Sequence, residues 1–212
     1  MTDIITSVNK DVCLVEERLK MDNREFCNRL EGEHIVLRKA KPDDYRSMLE
    51  NIWGDPEVYR WMLFQPTNTE EEAIERCNRS IAFQKDHFAF FVALKETDEA
   101  IGLCAIKENE PGHFEESGIG IGTKYKGMGY GKEIVALLLD LAFEKLGATD
   151  LRYGYFRDNI RSKKVAEHFG FQYDRTEEMT RPWDGAQKII DSCILTRERY
   201  MHMQHERKSH DF

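Results

Sequence analysis

The chain has 212 residues, room for one large domain or two very small ones, and its 41% hydrophobic content supports a packed core. A net charge of −8 argues against nucleic acid as a partner through bulk electrostatics, and no apolar run approaches the roughly 20 residues that span a membrane. Met1-Thr-Asp-Ile-Ile lacks the basic-then-apolar pattern of a secretory signal, so a cytoplasmic location is expected, and five widely spaced cysteines without a Cys-x-x-Cys predict reduced, buried thiols rather than disulfides or structural zinc.

Residues 1–30 read as an N-terminal helical extension with Val8, Val12, Val15 and Leu19 on one face. That stripe needs cover, from its own domain or from a second copy of the chain in a homodimer. The main domain is expected over residues 31–200, and a charged C-terminal tail over 201–212. Residues 34–37 predict a strand. Pro42-Asp-Asp-Tyr opens a helix that Gly54-Asp-Pro56 breaks, with Trp53, Tyr59, Trp61 and Phe64 crowded around the break. Thr69 and Glu72 form a capping box for a helix running to about residue 86. Strands follow at 88–94, 100–106 and 116–121. A glycine loop comes next, then a helix ending at Gly147, a strand at 151–156, a helix over 159–169 closed by Gly170, and strands at 171–175 and 188–195. Without repeats or low-complexity linkers, this is one α+β domain of about seven strands with flanking helices.

Lys124-Tyr-Lys-Gly-Met-Gly-Tyr-Gly-Lys132 is the most informative stretch. Glycines that run into a helix present unpaired backbone N–H groups at the positive end of its dipole, a cradle for phosphate. It is not a P-loop: Lys126 stands where the first glycine should, and Glu133 follows Lys132 where Ser or Thr should. It is not a Rossmann fingerprint either, because Lys132 holds the place of the third glycine.

The loop does resemble the acetyl-CoA signature of the GNAT superfamily of N-acetyltransferases, Arg/Gln-x-x-Gly-x-Gly/Ala, with Lys126 replacing the usual first residue before Gly129 and Gly131. Asn159-Ile-Arg-Ser162-Lys-Lys-Val165-Ala-Glu167-His-Phe-Gly170-Phe171 is similar to a second common signature of that superfamily, and Glu116-Ser-Gly118-Ile119 to the Glu-Ile-Gly-Tyr that often ends its fourth strand. The opening at residues 30–38 and the hairpin around Trp183-Asp-Gly185 resemble the branch of ribosomal-protein N-terminal acetyltransferases. The resemblance implies a mixed, mostly antiparallel twisted sheet with a splay between strands 4 and 5. It implies that Lys126, Gly127, Met128, Gly129, Tyr130, Gly131 and Lys132 hold the CoA pyrophosphate, and that main-chain groups of Ile119 and Ile121, with Asn159 and Ser162, hold pantetheine. It makes Glu116 the base that deprotonates the amine and Ser162 the donor facing the departing thiolate, with Tyr155 and Tyr173 as weaker alternatives. Gly120 stands where many relatives carry a bulky aromatic, which predicts an open acceptor pocket.

The expected partners are therefore acetyl-CoA and an amine acceptor, with no nucleic acid, membrane or metal. His202, His205 and His210 read as a solvated tail, and Cys104 as core. Protein N-termini fit the branch resemblance, while aminoglycosides, polyamines and free amino acids stay open. The competing class is a CoA-binding sensor without turnover.

Overall fold

Phe88–Leu94 is apolar at every position because both faces of this strand are covered: Phe90 and Val92 enter one core, Phe91 the other. The computed structural model describes residues 28–210, with side chains to 206; the helix read over residues 1–30 lies, as far as residue 27, outside the described residues. Eight strands form one sheet in the order β1-β2-β3-β4-β5-β6-β8-β7. They are β1 (Arg29–Glu31), β2 (Ile35–Arg38), β3 (Phe88–Leu94), β4 (Ala100–Glu110), β5 (His113–Ile121), β6 (Asp150–Phe156), β7 (Gln172–Thr180) and β8 (Gln187–Thr196). All neighbours are antiparallel except β5 and β6. The short edge strand β1 adds one to the seven expected, so the splay read between strands 4 and 5 falls between β5 and β6.

The helices are α1 (Tyr45–Met48), α2 (Pro56–Tyr59), α3 (Glu70–Gln84), α4 (Tyr130–Leu139), α5 (Ile160–His168) and α6 (Arg197–His210). The proline-led opening holds as a 3-10 turn, Pro42–Asp44, ahead of α1, and wide π turns extend both α1 (Leu49–Trp53) and α4 (Asp140–Lys145). Thr69 Oγ1 caps α3 through Glu72 N at 3.2 Å, while Glu72 reaches back to Asn68 N at 2.9 Å. The larger core lies between the sheet and α4, whose Ile134, Val135, Leu138 and Leu139 are buried; full burial of each stabilises by about 1.5–3 kcal/mol. The smaller core lies on the opposite face, around Trp53, Met48, Ile52 and Phe91, with Trp53 edge-on to Phe91 at 5.9 Å.

Arg38 locks the first half of the sheet. Its guanidinium donates to both Asp44 oxygens at 2.8 Å, to Asp98 Oδ1 at 2.7 Å and to the Asp98 carbonyl at 2.8 Å. Asp98 takes a positive φ (59°) in the β3–β4 turn and so presents both groups. Asp44→Asn should lower unfolding free energy by about 2 kcal/mol in a denaturant titration, since a bond between buried charged groups is worth that much. An unchanged midpoint would mean that the pair does not stabilise the fold.

Among the described residues no helix is long and apolar enough to cross a membrane. Cys77, Cys104 and Cys193 are buried free thiols, as expected, while Cys13 and Cys27 lie outside the described residues.

Candidate active site

β5 and β6 pair only over His113–Glu115 and Asp150–Arg152, then part. Glu116 is the next residue, at the vertex of the opening. Its backbone leads into a bulge: Ile119 faces Cys104 and Glu116 faces Ile106, so Ser117 and Gly118 together oppose Ala105. Gly118 carries the bend at φ 134° and donates its N–H to Glu116 Oε1. The carboxyl group is half-buried. Burial is the largest influence and raises its pKa to about 7; the neighbouring Glu115 charge adds to the rise, while backbone hydrogen bonds from Gly118 and Gly154 pull it down.

Beyond Glu116 the inner edge of β5 has no strand partner among the described residues. Gly122 gives its N–H to Ile101 O at 2.9 Å, on the β4 side. Successive strand N–H groups alternate sides, so those of Ile119 and Ile121 point away from β4 into the splay.

The glycine loop closes the same end of the cleft. Its approach is pinned by Glu99, which accepts from Asn51 Nδ2 (3.1 Å), Tyr125 Oη (2.9 Å) and Lys124 Nζ (3.4 Å). Gly127 and Gly129 both have φ 88°, which glycine alone adopts without strain, and a Cβ on Gly127, Gly129 or Gly131 would meet nothing within 4 Å. Among the described residues the backbone N–H groups of Gly127 through Gly131 find no acceptor, whereas Lys132 N and Glu133 N already close onto Gly129 O. Glu133 fixes the helix start to β2 by accepting from His34 N at 2.8 Å and Ile35 N at 3.2 Å.

The charged residues of the loop diverge. Lys126 does not face the cradle: its Nζ donates to the Glu57 carbonyl and Thr123 Oγ1, each at 2.9 Å, and burial lowers its pKa. Lys132 Nζ lies 3.5 Å from His168 Nδ1 and is exposed. Met128 is exposed and Tyr130 half-buried.

Just past the far strand β6, Asn159 Oδ1 caps α5 by accepting from Ser162 N at 3.3 Å. Ser162 Oγ lies 2.8 Å from the Tyr153 hydroxyl. Tyr153 went unnoticed in the sequence, where it reads as one more inward residue of an apolar strand. Tyr155, considered there as a donor, is buried against Cys193 Sγ at 3.8 Å, and Tyr173 points outward, 66% exposed.

The opposite wall corrects one expectation. The space beside Gly120 is filled, because a Cβ there would meet Met62 Cε at 2.5 Å, with Val58 at 3.7 Å. Arg181 pins the β7–β8 hairpin to this wall by donating to the Arg60 carbonyl at 2.7 Å, and Trp183 stands edge-on to Tyr59 at 5.9 Å. A surface cavity of about 580 Å³ lies elsewhere, between residues 65–67 and α3, and shares no residue with the loop, Glu116 or Ser162. In the tail, His202 pairs with Glu206, and His205 bonds the Met201 carbonyl.

A half-open parallel pair beside a glycine-led helix start is a specific combination, and the model of the acetyltransferase (GNAT) domain family matches residues 34–172. The chain belongs to the GNAT acetyltransferase family. It is 29% identical over 170 residues to the N-acetyltransferase p20 of Bacillus licheniformis, a protein described as uncharacterized, covering 77% of this chain and 92% of that one. It is 27% identical over 177 residues to the FsC-acetyl coenzyme A-N(2)-transacetylase of Aspergillus fumigatus, covering 76% and 73%. Its fold is similar to that of the ribosomal-protein-S5-alanine acetyltransferase of Vibrio fischeri, with a TM-score of 0.65 at 18% identity, covering 81% and 98%. As a GNAT enzyme it is an N-acetyltransferase that depends on acetyl-CoA. The cleft fits that co-substrate: unpaired amides at the loop suit a pyrophosphate, and the free edge of β5 suits an extended, amide-containing arm.

Proposed function

We propose that this enzyme transfers the acetyl group of acetyl-CoA to a primary amine, on a protein N-terminus or a small molecule, by direct attack within a ternary complex. The observation that carries the reading is Glu116, a carboxylate with a pKa near 7 at the vertex of the cleft that the loop and the β5 edge define. Acetyl-CoA supplies an acyl carbon activated as a thioester. Backbone amides of residues 127–131 hold the pyrophosphate, with Lys132 adding positive charge. Main-chain groups of Ile119 and Ile121 hold pantetheine, with Asn159, whose side-chain oxygen caps α5, offering its amide NH2. Glu116 removes a proton from the attacking nitrogen, directly or through water. The nitrogen–carbon bond forms, the carbon–sulfur bond breaks with its electron pair passing to sulfur, and main-chain amides at the bulge steady the oxyanion. Ser162 faces the sulfur.

Lys126 in this scheme secures the loop to α2 rather than touching phosphate, and Met62 stands in for the aromatic absent at Gly120. Both departures from the family pattern thus have a use compatible with turnover. The names of two similar proteins support the two acceptor classes: one acetylates a ribosomal protein, the other an N(2) nitrogen. A thiol-release screen with acetyl-CoA over Ala- and Ser-initiated peptides, polyamines, aminoglycosides and free amino acids tests the reading. Release with at least one amine, matched by an acetylated product in the mass spectrum, is expected. CoA binding without release across the panel would favour a sensor.

A further inference from the structure

The Tyr153 hydroxyl on β6 and Ser162 Oγ in the first turn of α5 are 2.8 Å apart, and the direction of that bond follows from burial. Tyr153 is 5% exposed, its ring packed against Phe171 at 5.4 Å. Among the described residues Ser162 Oγ is the hydrogen-bond partner its hydroxyl has. A buried O–H without an acceptor costs more than an unfilled lone pair on an oxygen that already has a partner, so the phenol donates and the serine accepts. Three other groups face Tyr153: Glu116 from β5, Tyr155 from its own strand and Cys193 from β8. Burial first, then the Glu116 charge, raise the phenol pKa, so Tyr153 keeps its proton and stays a donor. Ser162 is half-buried, the more exposed member of the pair, and its own hydroxyl proton is left without an acceptor among the described residues.

We propose that Tyr153 is a positioning residue: by donating to Ser162 Oγ it turns the serine O–H toward the sulfur of the coenzyme, where it stabilises the thiolate. This rests on the placement of Ser162 beside sulfur in the proposed function. No proton passes along the pair. An alcohol is a much weaker acid than a thiol, so Ser162 gives a hydrogen bond only; sulfur keeps the electron pair of the broken carbon–sulfur bond and takes its proton from solvent.

The test needs no acceptor. CoA and desulfo-CoA, which lacks the sulfur, are titrated calorimetrically into the wild type, Tyr153→Phe and Ser162→Ala at several pH values between about 6.5 and 9.5, spanning the free thiol pKa of about 8.5. In the wild type the affinity ratio of CoA to desulfo-CoA should rise roughly tenfold across that range, since a hydrogen bond to a charged group favours the thiolate by about that factor. In Tyr153→Phe the ratio should stay flat while desulfo-CoA affinity and melting temperature hold. Ser162→Ala should also be flat, and the double variant no flatter. A rise in Tyr153→Phe equal to the wild type would overturn the role of Tyr153, even with Ser162→Ala flat. Failure of the wild type to bind CoA would instead overturn the donor site itself. If Tyr153→Phe does not fold, Tyr153→Leu removes the same hydroxyl and carries the same expectation.

Discussion

Glu116→Gln should lower turnover at pH 7.5 by about 100-fold or more, the range in which positioned acid–base groups act, while acetyl-CoA affinity changes by less than about twofold. The reasoning is geometric before it is electrostatic. Glu116 stands where β5 leaves β6, held by the Gly118 N–H, so Gln can keep that contact but cannot accept a proton. The pH dependence follows from the raised pKa. Only the ionised carboxylate is a base, so the wild-type rate should climb with pH through about 7 and then level, apart from the ionisation of the acceptor amine itself. The variant should keep only the acceptor's limb. Stability carries the opposite sign. A carboxyl whose folded pKa lies above its ordinary value of 4.5 contributes stability that is present below that value and lost as pH rises through the folded pKa. The variant should therefore melt higher than the wild type at pH 8 and no higher at pH 4. Full turnover in Glu116→Gln would remove Glu116 from the base role.

Gly129→Asp should weaken acetyl-CoA binding by two orders of magnitude or more and leave the fold intact. Gly129 has φ 88° and open space beyond its Cα, so a side chain fits there, within the run of unpaired loop amides. Aspartate tolerates the left-handed conformation at a cost of about 1 kcal/mol, but its carboxylate would repel a pyrophosphate held by the neighbouring amides. Gly129→Ala separates strain from charge and should lose only about tenfold. The direct readout is the thermal shift at saturating acetyl-CoA, which should be present in the wild type, reduced in the alanine variant and absent in the aspartate variant. Equal shifts in all three would place the pyrophosphate elsewhere.

Elements whose sequence carries its own signal were legible in advance. Phe88–Leu94 is uniformly apolar and was bounded correctly, and Thr69, Gly147 and Gly170 marked helix ends through capping and positive φ. Misjudged strand lengths share one cause. β4 continues to Glu110 and β7 to Thr180, through residues that are polar and exposed, so no apolar alternation marks them. The cross-strand pair of Lys107 with Glu115 belongs to the β4 arm and depends on register. The π turns after Met48 and Leu139 leave no residue signature at all. At the site, Glu116, the loop and the Asn159–Ser162 turn were readable because each rests on a local motif. Tyr153, Met62 and Arg181 were not, since each matters through a partner that folding brings from another element: Ser162, Gly120 and the Arg60 carbonyl.

One arrangement ties these pieces together. In the proposed scheme the sheet opens beside the base Glu116, the opening exposes main chain to an extended donor, and the loop at its end offers amides to the charged tail of that donor. The proposed direct transfer needs donor and acceptor in one cleft at once, and the buried Cys104 thiol, whose pKa is raised chiefly by burial, is unsuited to carry acetyl between them. Initial rates measured over a matrix of acetyl-CoA and amine concentrations test this most directly. Reciprocal plots should intersect, as direct transfer in a ternary complex requires; parallel lines, or no thiol release with any amine, would contradict it.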